Sequence, residues 1–379
     1  GKKTCGGNRA VPPAGLSISF RQVYLYTLSS ILSRRRMNRE EIQMKRTWRK
    51  KIGAVVALLA AVAVLGTGCG ADAAGAVESR TRETRALGLL LSREDTFLSE
   101  LKADIEAEAA AQGYAVRYYN AGNDPETQLR QVHEALAEGV ETLLVNLADG
   151  EDSEKVADIV GDAGVVLLNR APGTAILNER MVFVGMDEAG SGALQGHALA
   201  EYFWETDHGT DIRYLLFQGM PGQENTDARS GTAVQSLLDD GFCPIAAADY
   251  QVCGFSRERA RQAMALLEQG VDFDCVICDN DEMALGVIEA LEAAGWDPGA
   301  APIVSVDHTA EGAAALESGK LYMTVDQNPE DQARAAVAAA VNLARGRAYD
   351  DGLRELLGND CTDPEQPFVL RVPVEAVTA

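Results

Sequence analysis

Asp95, Asn169, Asn280, Asp307 and Gln327 stand at, or just past, the ends of five apolar runs: Ala86–Leu91, Val165–Leu168, Cys275–Cys278, Ile303–Val306 and Met323–Val325. A carboxylate accepts hydrogen bonds, and a side-chain amide both accepts and donates them. Gathered in one place, such groups would grip hydroxyls, each of which also donates and accepts. A sugar ring adds apolar C–H faces, which aromatic side chains cover. A buried polar group left without its hydroxyl costs about 1–3 kcal/mol, so a site of this kind discriminates between sugars. Reaction chemistry has less to stand on. Asp95 and Asp307 could in principle do glycosidic acid/base work, but no oxyanion or metal device accompanies them. The four histidines have no nucleophile or metal partner at a useful spacing. Cys275 and Cys278 are spaced like a redox pair, yet they lie inside an apolar strand, where residues three apart face opposite sides, so both read as core. No second Cys/His pair has zinc-ligand spacing. Gly190–Gly196 has one residue too many for a dinucleotide fingerprint and reads instead as small residues where a helix packs closely. No cofactor, no metal and no enzymatic activity is expected.

The elements that must position these residues alternate from end to end. Strand-like runs at 86–91, 114–119, 142–147, 165–169 and 181–186 are separated by helical periods at 97–112, 126–138 and 153–163. The pattern restarts with a helix over 190–204. Strands follow at 212–218, 245–251, 275–278, 303–306 and 321–325, with helices at 229–240, 256–269, 283–294 and 311–318. A long Ala-rich helix over 329–345 and a strand-like tail at 367–374 close the series. This order predicts parallel sheets with helices on both faces. In such sheets ligands bind beyond the carboxyl ends of the strands, where the polar residues stand. Asp187 and Asp281, each before a helix, read as N-caps.

The chain begins with something other than these elements. Met44 opens a basic stretch, Ile52–Leu65 is apolar and small, and Gly66-Thr-Gly-Cys69 follows. A charged start, a short apolar middle and small residues at the end mark a secretory signal. Its apolar part is shorter than the ~20 residues a spanning helix needs. The residues before Cys69 are similar to a bacterial lipobox, which makes Cys69 the expected lipidation site. Residues 1–43 fit no structural reading and are taken as translation upstream of a start at Met44. Residues 44–68 form the signal, and 69–84 a small, polar tether. What remains is roughly 300 residues, a size that suits two domains. The whole chain carries 57 Asp and Glu against 34 Lys and Arg, a net charge of −23. The basic leader masks an even more acidic remainder. A phosphate backbone would repel such a surface, so nucleic-acid binding is not expected. The seven cysteines form no disulfide framework; Cys243 and Cys253 flank a strand and could pair outside the cell.

From about Arg85 to Val374 the chain resembles the periplasmic sugar-binding proteins of ABC transporters, most of all the galactose/glucose-binding type. The resemblance rests on Ser92–Phe97, Val145–Asp149, Val165–Arg170, Val184–Asp187, Gly219–Gly222 with Arg229, Asp279–Asp281, Val306–Asp307 and Arg371–Pro373, in the family's order and nearly its spacing. It implies an α/β fold of periplasmic binding protein type I: two doubly wound three-layer lobes joined by a hinge of three chain crossings. The crossings are expected near 185–187, 324–328 and 359–363. Lobe 1 would then hold 85–186 and about 327–360, and lobe 2 would hold 187–326 and about 361–379. The implied ligand contacts are Asp95 on one edge of the ring, Phe97 and Phe255 on its faces, Asn169 and Arg170 from the first lobe, and Arg229, Asn280 and Asp307 from the second. Gln327 falls at the hinge. Gln223 and Asn225 stand where the family has His and Asp, and Phe255 where it usually has Trp. The calcium loop often found in this type has no equivalent in Thr206–Asp211, which lacks the ligand spacing.

The function that follows is an extracytoplasmic, membrane-anchored lipoprotein feeding an ABC sugar importer. It would be a monomer that closes on a galactose- or glucose-like monosaccharide and then meets a membrane permease. The alternative is a receptor for a sugar or a furanose signal that reports to chemotaxis or to a sensor kinase. A DNA-binding regulator with a similar core would need a helix-turn-helix where the signal stands.

Overall fold

The computed structural model describes residues 85–172, 176–364 and 366–379. The leader, Cys69 and the tether lie outside the described residues.

The first lobe is built on a parallel sheet in the order β12-β5-β4-β3-β1-β2: β1 (Ala86–Leu91), β2 (Ala115–Asn120), β3 (Thr142–Val145), β4 (Gly164–Leu168), β5 (Met181–Met186) and β12 (Val369–Val372). Side chains alternate across the sheet with the period of two that an extended chain imposes. Leu87, Leu89 and Leu91 of β1 face α1 (Thr96–Ala111) and α9 (Pro329–Ala344). Leu90 faces the other way, toward α2 (Pro125–Ala137) and α3 (Ser153–Val160). Because both faces are covered, the central strands read as unbroken apolar runs. A Cβ at Gly88 of β1 would stand 2.7 Å from Leu143 Cδ2, so the end of that leucine would have to shift to admit a side chain.

The second lobe repeats the plan in the order β13-β11-β10-β9-β6-β7: β6 (Asp211–Gln218), β7 (Cys243–Ala246), β9 (Cys275–Cys278), β10 (Ile303–Asp307), β11 (Met323–Asp326) and β13 (Glu375–Thr378). The short β8 (Gln251–Val252) also pairs with β6. One face packs against α4 (Glu188–Glu205) and α5 (Glu224–Asp239). The other packs against α6 (Arg257–Leu267), α7 (Asp281–Ala293) and α8 (Ala310–Glu317). Both lobes are therefore three-layered and doubly wound, as expected. Cys275 and Cys278 are buried free thiols on opposite faces of β9.

Three expectations need correction. The tail is not a single piece of the second lobe: β12 joins the first sheet parallel to β5, and β13 joins the second antiparallel to β11. The third crossing is consequently Pro373–Val374, not 359–363; the first two fall at Asp187 and Gln327–Asn328. The single strand expected over 245–251 is two short ones, β7 and β8, separated by residues 247–250. Cys253 is a free, buried thiol, so a Cys243–Cys253 disulfide is not made. The chain also forms α10 (Leu353–Leu357), which sequence reading did not anticipate.

Candidate functional site

The carboxyl ends of both sheets face one cavity between the lobes. Ten of the eleven residues singled out from sequence line it: Asp95, Phe97, Asn169, Arg170, Asn225, Arg229, Phe255, Asn280, Asp307 and Gln327. Gln223 does not. It lines an adjoining groove, at the N-cap position of α5 after the turn through Gly222 (φ +87°).

Several of these residues have a structural task as well. Asp95 caps α1, its Oδ1 accepting from the Leu98 amide at 2.8 Å, while its Oδ2 accepts from Arg93 Nε at 2.9 Å. Asn280 caps α7 by accepting from the Met283 amide at 3.0 Å. That cap had been expected of Asp281. Asp281 is instead fully buried inside the first turn, accepting from Ser305, Thr324 and both the amide and hydroxyl of Thr309. Asp187 does cap α4, through the Gly190 amide.

Asn169, Phe255 and Asp307 have positive φ angles of 57°, 62° and 117°. Residues other than glycine seldom adopt this region, though Asn and Asp do so more readily than most. Here the left-handed turn at each strand end aims the side chain at the cavity. The Asn169 Oδ1 atom is buried without a hydrogen-bond partner in the protein, an acceptor in need of a donor.

Charge is arranged behind the lining. Arg229 is almost fully buried. Its Nε donates to Glu188 Oε2 at 2.6 Å, its Nη1 donates to the Asp279 carbonyl at 2.7 Å, and the Asp307 carboxylate stands 3.9 Å away. Burial works against the guanidinium charge, but Glu188 and Asp307 outweigh it and hold the pKa above its ordinary value. Glu188 is 1% exposed and also accepts from Gln327 Nε2 at 3.1 Å. It directly follows the first crossing, Asp187, and Gln327 belongs to the second, so one carboxylate ties two crossings to a cavity residue. The helices that carry this pair approach closely: a Cβ on Gly192 of α4 would lie 2.2 Å from the Arg229 carbonyl oxygen. Burial pushes the Asp307 carboxyl well above the usual range, with Arg229 opposing and Asp281, Asp95 and Glu188 adding to the rise. Asp279, at the end of β9, is pushed up to about 7 by burial, against hydrogen bonds from the Gly219 amide and the Ser230 hydroxyl.

On the first-lobe side, Arg170 is 8% exposed and makes no ion pair among the described residues. Its Nη1 donates to the Leu147 and Ala148 carbonyls at 2.6 and 2.7 Å. Burial, with Arg93 nearby, lowers its pKa to about 10. Asn146 ties the floor together by accepting from the Ser92 hydroxyl at 2.6 Å and donating to the Leu168 carbonyl at 3.0 Å.

Three contacts join the lobes around the cavity. The Thr96 hydroxyl donates to Glu282 at 2.8 Å, Arg93 lies over the Phe255 ring at 6.0 Å, and Arg371 of β12 pairs with Glu224 of α5 at 2.7 Å. Arg93, Thr96, Asn146 and Glu282 line the cavity yet escaped sequence reading. Asn146 alone carried a signal, as the polar residue after β3; the others depend on which lobe faces which. Among the described residues no group of His, Cys, Asp and Glu could hold a metal ion, and no helix is long and apolar enough to cross a membrane.

Residues 89–348 match the model of the periplasmic binding protein domain. The D-galactose/methyl-galactoside binding periplasmic protein MglB of Haemophilus influenzae is 27% identical over 318 residues, which cover 77% of this chain and 91% of the relative. The ribose import binding protein RbsB of Bacillus subtilis is 28% identical over 273 residues, 71% of this chain and 85% of that protein. Among solved structures, an ABC transporter solute binding protein from Bacillus halodurans with bound myo-inositol superposes with a TM-score of 0.65 at 25% identity, covering 78% of this chain and 94% of that one.

Proposed function

This chain belongs to the periplasmic binding protein family, and we propose that it is the extracytoplasmic substrate-binding component of an ABC sugar importer, closing two lobes on one monosaccharide of the galactose or glucose type. The observation that carries the reading is the convergence of hydroxyl-seeking side chains from both lobes on one cavity. Asp95, Asn169 and Arg170 would hold the ring from the first lobe, and Asn225, Arg229, Asn280 and Asp307 from the second. Phe97 and Phe255 would cover its faces, and Gln327 would meet it at the hinge.

Binding is favoured over catalysis because both aspartates in the cavity sit beside arginines that hold them as hydrogen-bond acceptors for a ligand. Asp95 serves Arg93 and a helix cap, and Asp307 faces Arg229. Closure would present a joined surface to a membrane permease, with the protein acting as a monomer and a lipid at Cys69 keeping it near the membrane.

Thermal unfolding in the presence of a sugar panel tests this reading. A ligand at a thousand times its Kd stabilises by about 4 kcal/mol. D-galactose or D-glucose should give the largest rise in Tm among D-galactose, D-glucose, D-ribose, D-allose and myo-inositol. A larger rise with ribose or myo-inositol would overturn the galactose/glucose assignment, and no rise with any of the five would overturn sugar binding.

A further inference from the structure

Glu188 stands behind the cavity lining, yet it is bonded to two residues that belong to it, Arg229 and Gln327. Its mount is rigid. Glu188 is the first residue of α4, directly after the cap that Asp187 makes to the Gly190 amide at 2.9 Å. The N-terminal turn of a helix favours a negative charge. One turn on, Gly192 lets α4 press against the backbone of α5 at Arg229. A single oxygen, Glu188 Oε2, accepts from Arg229 Nε at 2.6 Å and from Gln327 Nε2 at 3.1 Å. Glu188 and Gln327 are each 1% exposed and Arg229 3%, so bulk water does not compete for these bonds.

That arrangement has a direction. A carboxylate only accepts, whereas a side-chain amide has a donating end and an accepting end. Turning the Gln327 amide over would set two oxygens face to face in a buried place, which costs more than losing the bond. Gln327 Oε1 is therefore turned away from Glu188, and it is the atom left to accept in the cavity. Arg229 is fixed in the same way. Its Nε is spent on Glu188 and one Nη1 hydrogen on the Asp279 carbonyl at 2.7 Å. The remaining Nη hydrogens are left to donate.

We propose that Glu188, without touching the ligand, is a specificity-determining positioning residue: it forces Gln327 to act as an acceptor and Arg229 as a donor, so that the ring position beside Gln327 must carry a hydroxyl that donates. The inference rests on the monosaccharide reading of the cavity and deepens it to the direction of two hydrogen bonds.

Calorimetric titration with D-galactose, D-glucose and their monofluorinated analogues, in which fluorine replaces one hydroxyl at a time, tests it. Fluorine accepts weakly and does not donate. At the ring position beside Gln327, the fluorinated analogue should bind the wild-type chain roughly five- to hundredfold more weakly than the parent sugar, the cost of a buried acceptor without its donor. Gln327→Met keeps the bulk and removes the amide, and should remove most of that penalty at that position alone. Glu188→Met should lower the penalty at the same position by about fivefold or more, because the released amide turns Nε2 toward the fluorine. Glu188→Gln keeps an acceptor beside Arg229 and should retain the wild-type penalty. Weakening of all sugars by one common factor in Glu188→Met would overturn the inference, since a merely structural role predicts that result. So would relaxation in Glu188→Gln, or a Gln327→Met variant that changes no penalty; these two variants decide the matter if Glu188→Met does not fold. Failure of the wild-type chain to bind either parent sugar would overturn the underlying reading of the cavity, and this inference with it.

Discussion

Removal of the Glu188 carboxylate should destabilise the empty protein well beyond an ordinary surface charge change. In the native fold Glu188 is 1% exposed and accepts from both Arg229 Nε (2.6 Å) and Gln327 Nε2 (3.1 Å). Glu188→Ala leaves a buried guanidinium without its closest counter-charge and orphans the Gln327 amide. Breaking a buried ion pair in this way costs about 3–5 kcal/mol. Arg229 keeps the Asp279 carbonyl at 2.7 Å and Asp307 at 3.9 Å, so the lower end, about 3 kcal/mol, is expected. At about 1.6 °C per kcal/mol for roughly 300 folded residues, Tm should fall by roughly 5 °C. Glu188→Gln keeps an acceptor of the same shape and should lose less. Thermal unfolding followed by circular dichroism without sugar reads both variants. A fall under about 2 °C for Glu188→Ala, or a greater loss for Glu188→Gln than for Glu188→Ala, would refute the assignment of Glu188 as the counter-charge that holds Arg229.

Other consequences are separately measurable. Asp279 has a carboxyl pKa raised to about 7 by burial. The folded state therefore holds a proton that the unfolded chain releases near pH 4, so this group's contribution to stability is full below pH 4 and lost as pH rises to 7, with a slope of up to about 1.4 kcal/mol per pH unit. Asp279→Asn should flatten the stability profile between pH 4 and 7, as read by denaturant titration; an unchanged slope would contradict the burial argument. Asn280 combines a helix cap with a place in the cavity. Asn280→Ser should keep the cap and most of the stability, within about 1 kcal/mol, while sugar affinity falls roughly tenfold or more with the lost amide; equal losses in both would deny it a ligand role. Phe255→Ala should weaken sugar binding by about 1–2 kcal/mol through loss of a ring face, measured by calorimetry, and binding that survives unchanged would remove Phe255 from the site.

How much of this was legible in the chain follows from what each feature depends on. The two sheets were readable because strands covered on both faces are unbroken apolar runs, and the polar residue after each run marks the end that faces the cleft. The same logic found Asn169, Asn280 and Asp307 without any knowledge of pairing. The third crossing was misplaced because β12 and β13 are only four residues each, and nothing local says that one joins the first sheet and the next the second. Gln223 was misplaced on a smaller scale: after the turn through Gly222 it stands at the N-cap position of α5 and lines the adjoining groove. Asp281 lost its expected cap to the neighbouring Asn280 because three hydroxyls from β10, β11 and the segment between β10 and α8 draw it inward. The partnership of Glu188 with Arg229 joins residues 41 positions apart, and that of Thr96 with Glu282 joins residues 186 apart. Periodicity carries no information at those separations.

The most direct test is a crystal structure of the protein grown with the sugar that gives the largest thermal shift. A single ring should lie in the cavity, its hydroxyls within hydrogen-bond distance of Asn169, Arg229, Asn280 and Asp307 and a face against Phe97 or Phe255. A sugar bound on the outer surface of one lobe, with the cavity between the lobes empty, would contradict the account.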